Sequence, residues 1–156
     1  EIEEFRTVVE EYRSRVYQTA YGIVQNADDA KDITQEVFLK VYTKMDTFKG
    51  LASLSTWIYR ITVNTAIDMI RKRKPNVYTG FREEISREET NVPGFAGAAG
   101  FTSPFNATYQ SEIRKLIQEA FTRLSPDHRV TLVLREIEGL SYQQIAETLE
   151  CSTGTV

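Results

Sequence analysis

Residues 53–74, SLSTWIYRITVNTAIDMIRKRK, decide the class of this fold. Tyr59, Val63, Ala66, Ile67 and Ile70 recur at i, i+4, i+7, i+8 and i+11, one apolar stripe of a long helix. Trp57, Arg60, Asn64, Asp68 and Arg71 fall on the opposite face. The run Arg71-Lys72-Arg73-Lys74 follows, with no acid before Glu83. Cations for phosphate, an aromatic for stacking and an amide for base edges suit a nucleic-acid strand. The plainer alternative is an amphipathic core helix whose basic end complements the helix dipole.

The segments before it carry the same periodicity. Phe5, Val8, Val9, Tyr12, Val16 and Ala20 form a first stripe, broken at Gln25-Asn26-Ala27-Asp28-Asp29. Asp28 or Asp29 is expected to cap a second helix running to about Thr43, with Ile33, Val37, Phe38 and Val41 inward. A loop, Met45–Ala52, contains Phe48 and Gly50, and Ser53 or Ser55 then caps the long helix. Residues 75–110 change character. Pro75, Gly80, Pro93, Gly94, Gly97, Gly100 and Pro104 punctuate a stretch that reads as a linker, with Phe81, Phe95, Phe101 and Phe105 interspersed. Either these aromatics anchor the linker on the flanking helices, or the linker threads a partner's channel.

From residue 109 the pattern is helical again. Ser111 is expected to cap a helix bearing Ile113, Leu116, Ile117, Ala120 and Leu124. Ser125-Pro126-Asp127 is an N-cap with proline at the first helical position, and Gly139 ends the helix that follows. Ser141 caps YQQIAETLE, and Cys151-Ser152 turns the chain into a further helix from Thr153. Small Ala146 and apolar Ile145, Leu149, Cys151 and Val156 give a helix-turn-helix pattern, in which Ser152, Thr153 and Thr155 open the reading helix. Glu150 stands where many such turns have glycine, so the turn is expected to be made differently. A simple helical hairpin is the alternative. No segment reads as strand. The expected fold is all-α: one helical domain over 1–74, a flexible linker over 75–108, and a second, helix-turn-helix domain over 109–156.

Composition narrows the function. With 41% hydrophobic and 26% charged residues, the chain is that of a soluble globular protein. No apolar run nears the ~20 residues of a membrane span, so no membrane insertion is expected. A single cysteine, Cys151, excludes an internal disulfide and suits the reducing cytoplasm. The missing initiator Met points to an absent true start. Net charge is −3, against a local net of +1 over residues 1–74 and −2 over 111–156. Such a distribution gives no broad basic field for tight binding to duplex DNA, so another component is expected to supply much of the affinity.

Asp29, Asp32 and Glu36, with Gln35 beside them, place three acids on one expected exposed face at i, i+3 and i+7. They suit a basic protein surface, unless they are simply solvated. Catalysis has little to work with. His128 and Cys151 are the only residues of their kinds, which excludes a metal site of several His or Cys, and no phosphate loop or nucleophile motif is present. No enzyme activity, cofactor or metal is expected.

In this order the segments resemble the bacterial extracytoplasmic-function (group IV) sigma factors of RNA polymerase. The resemblance rests on Asp29-Ala30-Lys31-Asp32-Ile33-Thr34-Gln35-Glu36-Val37-Phe38, on Phe48-Lys49-Gly50, and on Ser55-Thr56-Trp57-Ile58-Tyr59-Arg60-Ile61. It continues through Asn64-Thr65-Ala66-Ile67-Asp68, Arg71–Lys74, Leu124-Ser125-Pro126, Leu134–Tyr142 and Ile145-Ala146. It covers nearly the whole chain apart from the linker.

The resemblance implies roles. Asp29, Asp32, Gln35 and Glu36 would contact RNA polymerase core, docking on the coiled coil of its β′ clamp, with the β subunit also a partner. Trp57, Arg60 and Asn64 would lie in the segment that melts the −10 promoter element and holds the non-template strand, with Asn64 at a pocket for a flipped base. A flipped base costs a few kcal/mol of stacking, which pocket contacts offset. Asp68, Arg71, Lys72, Arg73 and Lys74 would adjoin the −10 duplex, and Ser152, Thr153 and Thr155 would begin the −35 reader. The aromatic linker resembles the segment that runs near the RNA exit path. An anti-sigma factor is the implied regulator.

Two departures qualify this. Leu51-Ala52-Ser53-Leu54 is less polar than the family's usual loop, and the reading helix stops at Thr155-Val156 without the basic residues expected beyond, as in a trimmed chain. Poor −35 recognition is the expectation. A stand-alone helix-turn-helix regulator, binding duplex DNA as a dimer, and a helical adaptor without DNA contact are the rival readings.

Overall fold

The computed structural model describes residues 2–73 and 104–156. Lys74 and nearly all of the expected linker, including Phe81, Phe95 and Phe101, lie outside the described residues. Every regular element among the described residues is helical. Helix α1 spans Ile2–Val24, α2 Ala27–Lys44 and α3 Leu54–Arg73, with a 3-10 turn at Met45–Thr47. After the undescribed segment come α4 (Pro104–Arg123), α5 (Pro126–Leu132), a π-helical turn (Val133–Ile137) and α6 (Tyr142–Leu149).

The helix ends follow from side-chain chemistry. Gln25 leaves α1 at φ 55°, and its amide donates to the carbonyls of Tyr21 and Gly22. Asn26, rather than Asp28 or Asp29, caps α2: its Oδ1 accepts from the Asp29 N–H at 3.0 Å. The acids are left in the first turn, where the helix dipole favours negative charge. Ser53 caps α3 by accepting from the Thr56 N–H at 3.1 Å. Ser125 caps α5, with Pro126 at its first position. Ser141 and Gln144 form a reciprocal capping box on α6.

Helix α4 departs from expectation. It starts at Pro104, inside the stretch expected to be linker, because proline suits the first turn of a helix, so Ser111 lies within the helix and caps nothing. Its apolar positions are also open: Leu116 is 64% and Ile117 39% exposed. Beside it runs a groove of about 400 Å³, lined by Tyr17, Tyr21, Ile117, Phe121 and Ile137 among others.

Helices α1, α2 and α3 pack around Val16, Ile23, Ile33, Val37, Val41 and Ile58, all fully buried. Each such side chain contributes about 1.5–3 kcal/mol on removal from water. The stripes expected on the first three helices are the ones buried, including Tyr59, Val63, Ala66 and Ile67 on α3. The same core continues into the second half of the chain through Val130, Leu134 and Ile145. Periodicity gave no sign of that union. Gly22 permits it: a Cβ there would lie 2.5 Å from Val133 Cγ2, so α1 and the π turn meet only because residue 22 has no side chain.

Candidate nucleic-acid interface

The outer face of α3 is less uniform than its sequence. Asn64, Asp68, Arg71 and Lys72 are exposed, and Asp68 lies 4.0 Å from Arg71. Trp57 and Arg60, expected on the same open surface, are half-buried. The Trp57 ring packs on Phe48, with centroids 4.8 Å apart, and against the core, so it anchors the preceding loop to α3. The Arg60 guanidinium reaches across to α6. Its Nη2 donates to the Glu147 carbonyl at 2.6 Å, and Nη1 lies 3.5 Å from Glu150.

Two further expectations are corrected together. Asp29 is buried, not part of an exposed acidic stripe, and Arg73 is not a cation free for phosphate. Arg73 holds Asp29 in a two-pronged ion pair, with Nη2 donating to Oδ1 at 2.7 Å and Nη1 donating to Oδ2. The pair fastens the end of α3 to the start of α2. A forked guanidinium matches both carboxylate oxygens, which is why a buried Asp29 is tolerated.

The remaining acidic face of α2 is as expected. Asp32, Gln35 and Glu36 are exposed, and Lys40 pairs with Glu36 at 2.7 Å. Beside them Leu39 and Tyr42 are 64% and 53% exposed. Sequence periodicity assigns neither a role; their signal is an apolar pair lying off the buried stripe of Ile33, Val37 and Val41.

Of the expected helix-turn-helix the structure shows the first helix and the turn; residues 153–155 form a turn, not the helix expected from Thr153. Glu150 itself takes the left-handed conformation, φ 56°, and its N–H caps α6 on the Ala146 carbonyl. The turn is thus the usual one, made without glycine. Ile145 is buried, while Leu149 and Val156 pack against the core. Ser152, Thr153 and Thr155 are exposed, and Ser152 Oγ accepts from the Thr155 N–H at 3.2 Å, as at the start of a helix. Arg135 donates to the Leu140 carbonyl at 2.9 Å and lies over the Tyr142 ring, which fixes the entry to α6.

Glu138, unremarked in the sequence, joins the two halves. Its carboxylate accepts from Tyr59 Oη at 2.7 Å and from Thr19 Oγ1 at 3.0 Å. Burial and this hydrogen bond to a carboxylate both push the Tyr59 phenol above its ordinary value. Arg129 donates to the Ile23 carbonyl at 2.5 Å and is pulled below its ordinary value by burial. Burial likewise raises the Cys151 thiol, which suits an inert packing residue. No group of three or more potential metal ligands occurs among the described residues.

Comparison with known proteins decides what this arrangement belongs to. Residues 8–75 match the model for sigma-70 region 2, and residues 114–156 match that for sigma-70 region 4. The ECF RNA polymerase sigma factor SigW of Bacillus subtilis is 34% identical over 152 residues, covering 97% of this chain and 80% of the relative. The chain belongs to the ECF sigma factors. The sigma-E factor of Haemophilus influenzae is 33% identical over 156 residues, covering 97% of this chain and 79% of its own length. Among solved structures, the sigma factor RpoE of Bartonella quintana, crystallised with the anti-sigma factor NepR, superimposes with a TM-score of 0.67. That match is 21% identical and covers 98% of this chain and 87% of the other. This sigma factor therefore acts with RNA polymerase in promoter-specific initiation of transcription. No described helix is long and apolar enough to cross a membrane.

Proposed function

We propose that α3 of this sigma factor captures the unpaired non-template strand of the −10 element, using Asn64, Asp68, Arg71 and Lys72, with Arg60 joining once the strand is engaged. The exposure of Asn64 on a helix whose opposite side is fully packed carries this reading. A rigid helix presents amide and cations without reordering, and a flipped base needs such a fixed partner. Lys74 continues the basic end, while Arg73 contributes chiefly through Asp29.

Polymerase core docks, in this reading, on Asp32, Gln35 and Glu36, with Leu39 as the apolar anchor. A charged rim around an exposed leucine suits a basic coiled coil such as that of the β′ clamp. The helix begun at Ser152, Thr153 and Thr155 enters the −35 major groove. The chain catalyses nothing itself, works in the cytoplasm, and is held in check by an anti-sigma factor. That last point is supported by the RpoE relative having been solved with one.

The experiment compares promoter binding with and without polymerase core. Tight, promoter-specific binding only in the presence of core supports the reading. Strong duplex binding by the chain alone, unchanged by core, overturns it in favour of a stand-alone regulator.

A further inference from the structure

The groove beside α4 has a polarity of its own. It is lined by Tyr17 and Tyr21 of α1, whose stacked rings have centroids 6.2 Å apart, and by Ile117 and Phe121 of α4. Ile137 of the π turn lines a third side. Among the described residues Arg114 is the one charged side chain in the lining, and no acid belongs to it. Arg114, Ile117 and Phe121 stand at i, i+3 and i+7, so one face of α4 passes from a cation to apolar side chains. That passage covers about 10 Å along the helix. Arg114 also differs from the other cations of α4. Lys115 has Glu112 three residues before it and Glu119 four after, and Arg123 has Glu119 four before. At those spacings Arg114 has only Gln110, Ser111, Ile117 and Gln118, and it joins no ion pair among the described residues.

We propose that this groove is a binding site for a small amphipathic carboxylate, one aliphatic chain ending in a single carboxylate group. The carboxylate meets the Arg114 guanidinium, whose fork matches its two oxygens. Gln18 and Gln118 also line the groove and bring amide N–H donors to the same head group. The aliphatic chain lies against Tyr17, Tyr21, Ile117 and Phe121. Ile117 and Ile137 are 39% and 48% exposed, and a bound chain takes that apolar surface out of water. A volume of about 400 Å³ suits a small molecule, and apolar walls with one charged group are the usual make-up of such a site. The sign of the charge decides the class. A cationic amphiphile would be repelled by Arg114, and a neutral one would leave the guanidinium without a counter-charge. No residue assigned above to DNA or to polymerase lines the groove, so the site stands apart from those readings.

The test is isothermal titration calorimetry on the full chain in three forms: unaltered, Arg114→Gln and Ile117→Asp. Each form is titrated with decanoate and with decyltrimethylammonium, a cation on the same length of chain, both below their micelle concentrations. The unaltered chain is expected to take one decanoate, at least tenfold more tightly than the cation. Arg114→Gln should weaken decanoate about tenfold, as for one lost hydrogen bond between charged groups, and leave the cation no weaker. Ile117→Asp should abolish decanoate binding, since it places an acid among the apolar walls. Both side chains are exposed, and circular dichroism checks that the variants keep their helices. If Ile117→Asp does not fold, Arg114→Gln alone decides. Decanoate that does not saturate at one per chain overturns the proposal, as does decanoate that binds Arg114→Gln as tightly as the unaltered chain. Undiminished binding to a folded Ile117→Asp puts the ligand elsewhere and also overturns it. Sedimentation of the unaltered chain as a dimer that Ile117→Asp disperses gives the groove to a second copy, and the carboxylate site then falls.

Discussion

The phenol of Tyr59 donates a 2.7 Å hydrogen bond to Glu138, a residue 79 positions further along the chain. This bond joins the helix that faces DNA to the turn that leads into the helix-turn-helix. It also makes Tyr59 the most informative titratable group in the protein.

Burial, reinforced by Glu138, holds the Tyr59 proton more tightly in the folded chain than in the unfolded one. The stability this contributes is present in full below the ordinary tyrosine value of about 10 and is lost as pH rises above it. Absorbance titration at 295 nm should show one of the eight tyrosines ionising only as the fold opens. Tyr59→Phe should remove that late phase and make stability above pH 10 less steep. A late phase unchanged in Tyr59→Phe counts against the assignment.

Breaking the Arg73–Asp29 pair should cost stability before it costs DNA binding. Arg73→Ala strands a buried carboxylate, and lost hydrogen bonds to charged groups cost about 1.5–3 kcal/mol. A melting temperature lower by roughly 3–12 °C is expected in thermal unfolding for a chain of this size. Asp29→Asn together with Arg73→Ala should cost less than the two singles added, because the pair acts as one unit. Strict additivity would show that the two side chains do not depend on each other.

Asn64→Ala should impair open-complex formation while leaving polymerase binding intact. Potassium permanganate footprinting of the opened promoter gives the first quantity, and native gel shift with core gives the second. An equal fall in both would make Asn64 a structural residue.

Asp32→Arg combined with Glu36→Arg should weaken core binding by about tenfold or more, since charge reversal adds repulsion to lost attraction. Both side chains are exposed, so the melting temperature should hold within a few degrees. Unchanged affinity for core would return this face to plain solvation.

Glu150 occupies a left-handed conformation that costs a residue with a Cβ about 1 kcal/mol. Glu150→Gly relieves that cost and loses an exposed ion pair worth at most about 1 kcal/mol. Its stability should match the unaltered chain within about 1 kcal/mol, whereas Glu150→Val should fall clearly below it. Denaturant midpoints for the two variants check the contrast.

The helices, their buried faces and the first helix and turn of the helix-turn-helix were legible in the sequence because they are local. The stripe Tyr59, Val63, Ala66 and Ile67 has a period the backbone imposes, and Pro126 and Gly139 mark ends through their own dihedral preferences. Asp32, Gln35, Glu36, Asn64, Asp68, Arg71 and Lys72 were placed outward for the same reason, and they are exposed. The errors were local as well. Asn26 competes better than its acidic neighbours for the cap because its side chain sits at the residue before the first turn. Leu116 shows that an apolar stripe marks a face suited to burial, not one already buried.

What periodicity does not carry is the partner of each outward residue. Asp29 and Asp32 lie on the same helix, yet only Asp29 meets Arg73, 44 residues away. Arg60 and Asn64 share a face of α3, yet only Arg60 meets α6, 87 residues away at Glu147. Glu138 and Gly22 had no distinguishing pattern, and their roles arise where two halves of the chain touch. The sequence by itself determined which helices form and which side of each is apolar, because both depend on neighbours a few residues apart. The tertiary structure alone decided which charges are spent on holding the fold closed, because that depends on charges that meet only after the chain has packed.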